Sequence, residues 1–338
     1  MHDVARRAGV SVMTVSNVIN ERPHVRAATR ERVRAAIDEL GYAVNATARS
    51  LRQGRTGVIC LAVPEIDRPY FGILAQLVIE RAATDGFEVV IEQTGAARAG
   101  ELGALAHSRL RSYDGLIINA VRLAGADAAL LRSELPVVVL GERAYAEPVD
   151  RVAMDNVAGG ALAVRHLVDS GRRSVAMIGG RMSSGPADID AATERARGFL
   201  AGAAERGVDA DPRRIVESDF SLEGGRDGVR RLLEAGIAVD GLFCATDLIA
   251  IGAVRALADH GLRVPVDVGV VGFDDVPLAS FTTPSLTSVA PDRIGMVDAA
   301  VSMVVARIRG ERADADYREV VGAMAIIERE STATIDPN

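Results

Sequence analysis

The chain has 338 residues, 49% hydrophobic and 25% charged, with a net charge of −7. Such a length supports two or three domains with sizeable cores, and the composition is that of an ordinary globular protein. No run of about 18 apolar residues suggests a membrane span, and no N-terminal hydrophobic region reads as a signal peptide. Residues 1–60 carry ten Arg against five acidic residues, +5, which leaves −12 for residues 61–338. A basic head on an acidic body is expected to meet a polyanion through the head alone. Cys60 and Cys244 each sit inside an apolar, strand-like run, as buried thiols of a reducing cytoplasm would.

Residues 3–20 read as two short helices joined by a tight turn. Val4, Ala5 and Ala8 give the first an apolar stripe, and Gly9 ends it, because glycine enters a left-handed cap without strain. Ser11 can cap the second helix. Val15, Val18 and Ile19 fall on one side of that helix; Met13, Ser16, Asn17 and Asn20 fall on another. Short donors and acceptors beside one flexible apolar side chain suit a major-groove reader. After the turn around Pro23 and His24, a third helix is expected over 27–40, with Val33, Ala36, Ile37 and Leu40 as its core face and Gly41 as its stop.

This stretch resembles the helix-turn-helix of the LacI/GalR family of bacterial regulators, which typically reads D-V-A-x-x-A-G-V-S-x-x-T-V-S-x-V-x-N. Every fixed position is present. The resemblance implies that Ser11, Val12, Met13, Thr14, Ser16, Asn17, Asn20, His24 and Thr29 meet DNA. Asn17 stands where the family often has Arg, which is expected to change the base read. The family usually has a Thr two residues before Asp3, capping the first helix; Met1-His2 stands here instead. A Ser commonly caps the third helix; Arg26 stands there, so the cap is weaker or Thr29 serves.

Residues 42–54 match the family's hinge, G-Y-x-P-N-x-x-A-R-x-L, except that Val44 replaces Pro. The resemblance implies a segment that folds as a short helix in the minor groove, with Asn45 and Arg49 on backbone or groove and Leu51 as the wedge that opens a central base step. Eight or nine residues are too few for a stable isolated helix, so folding on binding is physically sensible.

From Gly57 the rhythm becomes alternating strand and helix. Strands are expected at 58–63, 87–91, 115–118, 137–140, 152–154, 174–178, 241–244 and 269–272. Helices are expected at about 71–84, 101–111, 158–169 and 248–259. Such βαβ alternation argues for right-handed, doubly wound parallel sheets, and about 280 residues is too much for one unit. Further family matches include Val152-x-x-Asp155-Asn156, Arg195-x-x-Gly198-Phe199, Ala245-Thr246-Asp247 and Val271-Gly272-Phe273-Asp274-Asp275. The resemblance thus covers essentially the whole chain. It implies an α/β protein: a three-helix DNA-binding headpiece at 1–44, a hinge helix at 45–56, and a two-lobed, periplasmic-binding-protein-like core at 57–338. Lobe 1 is expected at about 57–156 and 289–319, lobe 2 at about 157–288 and 320–332, with the chain crossing near 156, 288 and 320.

Ligands of open α/β sheets sit beyond the carboxyl ends of strands. Tyr70, Phe71, Gln93, Glu142, Arg143, Arg195, Phe220, Thr246, Asp247 and Asp274 stand at such ends, and the resemblance implies that they line an effector cleft for a sugar or related metabolite. Carboxylates and a guanidinium can hydrogen-bond neighbouring hydroxyls, and Phe71 or Phe220 can cover a sugar's apolar face. Where relatives often have Gln-Pro, Pro291-Asp292 stands, which weakens any ligand contact there. The five His show no metal-ligand spacing, Gly159-Gly160 and Gly179-Gly180 are not followed by a phosphate-loop Lys, and no G-x-S-x-G elbow occurs. No cofactor, metal or catalytic residue is therefore expected. The reading is a cytoplasmic, homodimeric transcriptional repressor of double-stranded operator DNA, set by a small carbohydrate effector. A nucleoside or purine corepressor is the alternative, and a solute-binding protein a remoter one.

Overall fold

The structure is a computed structural model that describes residues 1–19, 22–41, 55–109, 112–123, 125–131, 135–143, 145, 148–185, 189–209, 211–312 and 316–333; the side chains of 107–109, 126 and 128 are left out of the description. The hinge residues Asn45, Arg49 and Leu51, and Asn20 of the reading helix, lie outside the described residues. The chain divides into two compact units, Met1–Gly57 and Val58–Asn338.

The first unit is three helices: α1 (His2–Ala8), α2 (Val12–Ile19) and α3 (Ala27–Glu39). Val4, Val15, Val18 and Val33 are its buried centre. Gly9 ends α1 at φ 65°, the left-handed conformation expected of it. Ser11 caps α2, its Oγ accepting the Thr14 N–H at 3.1 Å. One expectation fails here. Leu40, expected on the core face, is exposed: its N–H still bonds the Ala36 carbonyl at 3.2 Å, but it stands at the very end of α3, beyond the buried Val33 and Ala36. Arg26 makes no side-chain cap at the start of α3, the weaker cap expected there, and an Arg7–Glu39 ion pair ties the far end of the helix to α1.

The second unit holds two six-stranded sheets. The first comprises β1 (Val58–Val63), β2 (Glu88–Gln93), β3 (Gly115–Asn119), β4 (Val137–Leu140), β5 (Asp150–Met154) and the late strand β11 (Glu319–Gly322), in the order β11-β5-β4-β3-β1-β2, parallel throughout. The second comprises β6 (Val175–Ile178), β7 (Ile215–Val216), β8 (Gly241–Cys244), β9 (Gly269–Phe273), β10 (Thr287–Pro291) and β12 (Met324–Ile327), in the order β12-β10-β9-β8-β6-β7; only β12 runs antiparallel to its neighbour. Strands buried on both faces, such as Ile59–Val63 and Val175–Ile178, are the continuous apolar runs that parallel sheets require.

On the first sheet pack α4 (Pro69–Thr84), α5 (Arg98–Arg109), the single turn α6 (Ala128–Leu131) and the late α11 (Arg293–Ile308). With the second go α7 (Asn156–Asp169), α8 (Ala191–Arg206), α9 (Leu222–Glu234) and α10 (Asp247–Asp259). Each sheet thus takes its last pieces from late in the chain. The chain passes from the first sheet to the second at 155, back at 292, and over again at 323. The last two passages fall a few residues after 288 and 320, because β10 runs on to Pro291 and β11 to Gly322.

Both sheets share one core order, 2-1-3-4-5 in their own strands. In such sheets the crevice opens beyond the carboxyl ends where the winding reverses, between the first and third strands. In this molecule those ends are Val63 and Asn119 in one sheet, and Ile178 and Cys244 in the other.

Candidate functional site

In the first unit, α2 presents one open face. Met13 is 71% exposed, while Ser16 and Asn17 are half-buried beside it. Ser11 and His24 are exposed at the flanking turns, and Val12, Thr14 and Thr29 are half-buried. The Asn17 carbonyl accepts the Arg22 N–H at 2.9 Å. The side chains of α2 that the sequence aims outward are therefore held on one rigid helix, packed through Val15 and Val18.

In the second unit a cavity of about 170 Å³ opens among the carboxyl ends of both sheets. Eight of the ten residues expected there line it: Tyr70, Phe71, Glu142, Arg195, Phe220, Thr246, Asp247 and Asp274. Two do not. Gln93 turns its Oε1 to the Ile66 N–H at 3.1 Å. Arg143 spans the two lobes instead: Nη1 donates to the Leu123 carbonyl and Nη2 to that of Ile189 at 3.3 Å. A long guanidinium beside two free carbonyls satisfies them before it reaches solvent.

Arg195 is the centre. It is 4% exposed, and every nitrogen has a partner. Nε donates to Asn156 Oδ1 at 2.8 Å, Nη1 to the Ala245 carbonyl, and Nη2 lies 3.6 Å from Asp274 Oδ1 and 3.7 Å from Met154 Sδ. Its guanidinium carbon is 3.6 Å from the centroid of the Phe273 ring, a cation–π contact. Asn156 in turn donates to Glu142 Oε1 at 2.9 Å. A polar chain thus runs Glu142–Asn156–Arg195–Asp274, from the end of β4 in one sheet to the end of β9 in the other.

Two glycines allow it. A Cβ at Gly198 would meet the Val157 carbonyl oxygen at 2.2 Å, and one at Gly160 the Arg195 carbonyl oxygen at 2.4 Å. Without side chains at these points α7 and α8 approach backbone to backbone. That brings Arg195, on the second turn of α8, over Asn156 at the start of α7.

Asp274 is 7% exposed and sits at φ 98°, a conformation that few non-glycine residues adopt and that clusters at functional sites. Arg293 of α11 donates to its carbonyl and to that of Asp275. Burial pushes the Asp274 carboxyl up to about 6, against the pull of Arg195 and Arg293. Asp247 is pushed further, to about 8, by burial and by Asp274. Its two oxygens are already taken, one by Ser288 Oγ at 2.6 Å and the other by the Val276 N–H at 2.8 Å. Thr246 caps α10, its Oγ1 accepting the Ile249 N–H at 3.3 Å. Thr246 and Asp247 therefore build the wall and hold the loop after β9, while Asp274 and Glu142 keep free lone pairs.

Sequence reasoning missed several residues of the site. Asn156 was visible only as part of a motif, yet it joins Glu142 to Arg195. Asp190 lines the cavity, caps α8 and pairs with Arg181; Asp190-x-x-Thr193 was a legible capping signal. Arg68 and Asn119 line it as well. Among the described residues no cluster of His, Cys, Asp and Glu could hold a metal ion, and no helix is long and apolar enough to cross a membrane.

Known proteins agree with this architecture. Residues 1–45 match the model of bacterial regulatory proteins of the lacI family, and residues 164–332 match that of a periplasmic binding protein-like domain. The ribose operon repressor of Halalkalibacterium halodurans is 33% identical, over 98% of this chain and 96% of its own. A lac repressor dimer, solved bound to operator and the anti-inducer ONPF, superposes with a TM-score of 0.83 at 28% identity, covering 98% of both chains. The transcriptional regulator CelR, solved with cellobiose, gives 0.72 at 31% identity over 97% of this chain and 98% of its own. With a reading helix, two lobes and a shared cleft in one chain, the protein belongs to the LacI family of DNA-binding transcriptional repressors regulated by small-molecule effectors.

Proposed function

We propose that the effector is a carbohydrate, held in the cleft by Glu142, Arg195 and Asp274 and covered by Tyr70, Phe71 and Phe220. The observation that carries this reading is the polar chain from Glu142 to Asp274. It brings carboxylates of two lobes to one point around a guanidinium that holds them in place, and carboxylates accept the hydrogens of neighbouring hydroxyls. A ligand that touches both lobes binds the closed form better than the open one, and only such a difference can move a DNA equilibrium. The chain works in the cytoplasm as a homodimer, since a two-fold operator takes two reading helices. On each half-site Ser11, Val12, Met13, Thr14, Ser16, Asn17, Asn20, His24 and Thr29 meet the DNA, with Asn45, Arg49 and Leu51 in the minor groove. CelR bound to cellobiose supports the carbohydrate class, and the operator-bound lac repressor dimer supports the assembly.

The test has two arms. Operator sequences are selected from random duplexes with the full-length protein. A panel of sugars, nucleosides and purines is then screened by thermal shift and by release from, or tightening on, that operator. A sugar present at 100 times its Kd is expected to stabilise the protein by about 2.7 kcal/mol and to change operator affinity. A panel in which only nucleosides or purines do so overturns the carbohydrate class.

A further inference from the structure

The reading helix α2 carries no charged side chain: its residues run Val-Met-Thr-Val-Ser-Asn-Val-Ile. The arginines of this basic unit stand elsewhere, with Arg22 and Arg26 in the turn and Arg30, Arg32 and Arg34 on α3. Such charge draws a duplex to the unit, but phosphate contacts position a protein without reading sequence. What α2 reads, it reads through neutral groups.

Most of its side chains are already spoken for. Val15 and Val18 are buried, and Val12 and Ile19 pack against the same core. The Ser11 and Thr14 hydroxyls bond each other at 2.9 Å, and Ser16 has an interaction of its own within the protein. Met13 and Asn17 remain. Met13 is 71% exposed, and the Asn17 amide has no partner among the described residues. The two are one turn apart on one face, about 6 Å along the axis. Base pairs of B-DNA are stacked about 3.4 Å apart, so these side chains meet bases about two steps apart at most.

The chemistry of each selects a base. An amide sets N–H donors beside an oxygen acceptor. Adenine alone offers the complement in the major groove, an acceptor at N7 beside a donor at N6; guanine offers two acceptors and cytosine a donor. Met13 has no polar group to match. Against adenine, guanine or cytosine it would cover a polar edge and strip its water without compensation. Thymine alone presents a methyl group, and covering it takes two apolar surfaces out of water at once.

We propose that α2 reads two A·T pairs in each half-site: Met13 lies on the 5-methyl group of a thymine, and Asn17 bonds N6 and N7 of an adenine. This rests on α2 being the helix that enters the major groove, and it names the bases taken there. Met13 and Asn17 are then the specificity-determining residues of α2. Guanine, the base that arginine most often takes, has no reader at either place.

Operators are selected from a random duplex library with the full-length protein and with its Met13→Gln and Asn17→Arg variants. The wild-type chain is expected to enrich A·T at two places, about two steps apart at most, in each half-site. Asn17→Arg is expected to exchange one of them for G·C, since a guanidinium fits guanine O6 and N7. Base analogues then test single atoms in competition titrations. Uracil in place of the thymine removes only the methyl group and is expected to weaken wild-type binding about fourfold per half-site, the worth of one buried carbon. Met13→Gln, of similar length but polar, is expected to bind the thymine and uracil operators alike. 7-Deazaadenine in place of the adenine removes the N7 acceptor; it is expected to cost the wild type at least about fivefold and Asn17→Ala nothing. Uracil operators bound as tightly as thymine operators overturn the inference, and so does a base preference that Asn17→Arg leaves unchanged. Wild-type operators with G·C at the places these variants alter leave α2 as the reading helix and sink this inference alone. Variants that leave the whole selected sequence unchanged sink α2 as the reading helix, and this inference with it.

Discussion

Replacing Asp274 by Asn removes one charge from the centre of the cleft and little else. Asn is among the few side chains that tolerate positive φ, so the backbone at φ 98° is kept. Burial holds the Asp274 carboxyl at about 6, against an ordinary value of 3.8. A carboxyl raised on folding gives a contribution that is complete below the unfolded value and is lost as pH rises towards the folded one. Here the loss runs from about pH 4 to pH 6 and, at about 1.4 kcal/mol per pH unit, reaches roughly 3 kcal/mol. The Asn variant escapes this loss. Wild type and Asp274→Asn are expected to unfold alike at pH 4, and the variant is expected to be more stable by up to about 3 kcal/mol at pH 8. The chain has no Trp, so urea unfolding is followed by circular dichroism. In operator titrations the variant is expected to bind DNA as wild type does, while its effector affinity falls about 10- to 150-fold, the worth of one charged hydrogen bond of about 1.5–3 kcal/mol. A variant less stable than wild type at pH 8 would mean that the Arg195 ion pair outweighs burial, and the reasoning fails. An unchanged effector response would remove Asp274 from the binding site.

Three further outcomes are expected. Asn17→Ala weakens operator binding by about 1–3 kcal/mol and relaxes one base pair per half-site, read by competition with single-base operator variants; equal loss on random DNA would make Asn17 a phosphate contact. Leu51→Ala removes most specific binding and leaves effector affinity intact, and operator induces helix in the wild-type chain by circular dichroism; no gain in helicity refutes folding on binding. Gly198→Ala brings a Cβ to 2.2 Å from the Val157 carbonyl oxygen, so a clash of about 1–3 kcal/mol exceeds the gain of about 1 kcal/mol in helix propensity. Its melting temperature is expected to fall together with effector affinity, whereas Gly103→Ala on α5, with nothing within 4 Å, is expected to be neutral or stabilising.

The parts legible in the sequence were those fixed by local chemistry. Gly9, Ser11 and the apolar spacing of Val15 and Val18 are each decided within one turn of chain, and they stand as read. Continuous apolar runs located the buried strands. The helices at 191–206 and 222–234 were passed over because they carry two and three glycines, whose helical role becomes visible only against a neighbouring backbone; nothing in the sequence explains why 293–308 was passed over as well. Gln93 and Arg143 were misplaced for a related reason. Both stand at strand ends, as cleft residues do, but the partners that hold them, the Ile66 N–H and the Leu123 and Ile189 carbonyls, are 27, 20 and 46 residues away. Sequence position places a side chain at the cleft; tertiary contacts decide whether it faces inward.

The saturation of Arg195 bears on how the cleft discriminates. Its donors already have partners in Asn156, the Ala245 carbonyl and Asp274. A ligand hydroxyl that displaces one of these exchanges one hydrogen bond for another, and such exchanges yield little net free energy. Affinity must then come from groups with spare capacity, the carboxylates of Asp274 and Glu142, and from apolar surface removed from water at Tyr70, Phe71 and Phe220. Coupling has a further requirement, since a ligand must favour one arrangement of the lobes over another. Arg143 links carbonyls of both lobes through the protein's own groups. Cutting that link by Arg143→Ala frees the lobes while leaving the cavity wall untouched. The variant is expected to bind effector with lower apparent affinity, because closure must now be driven by the ligand alone.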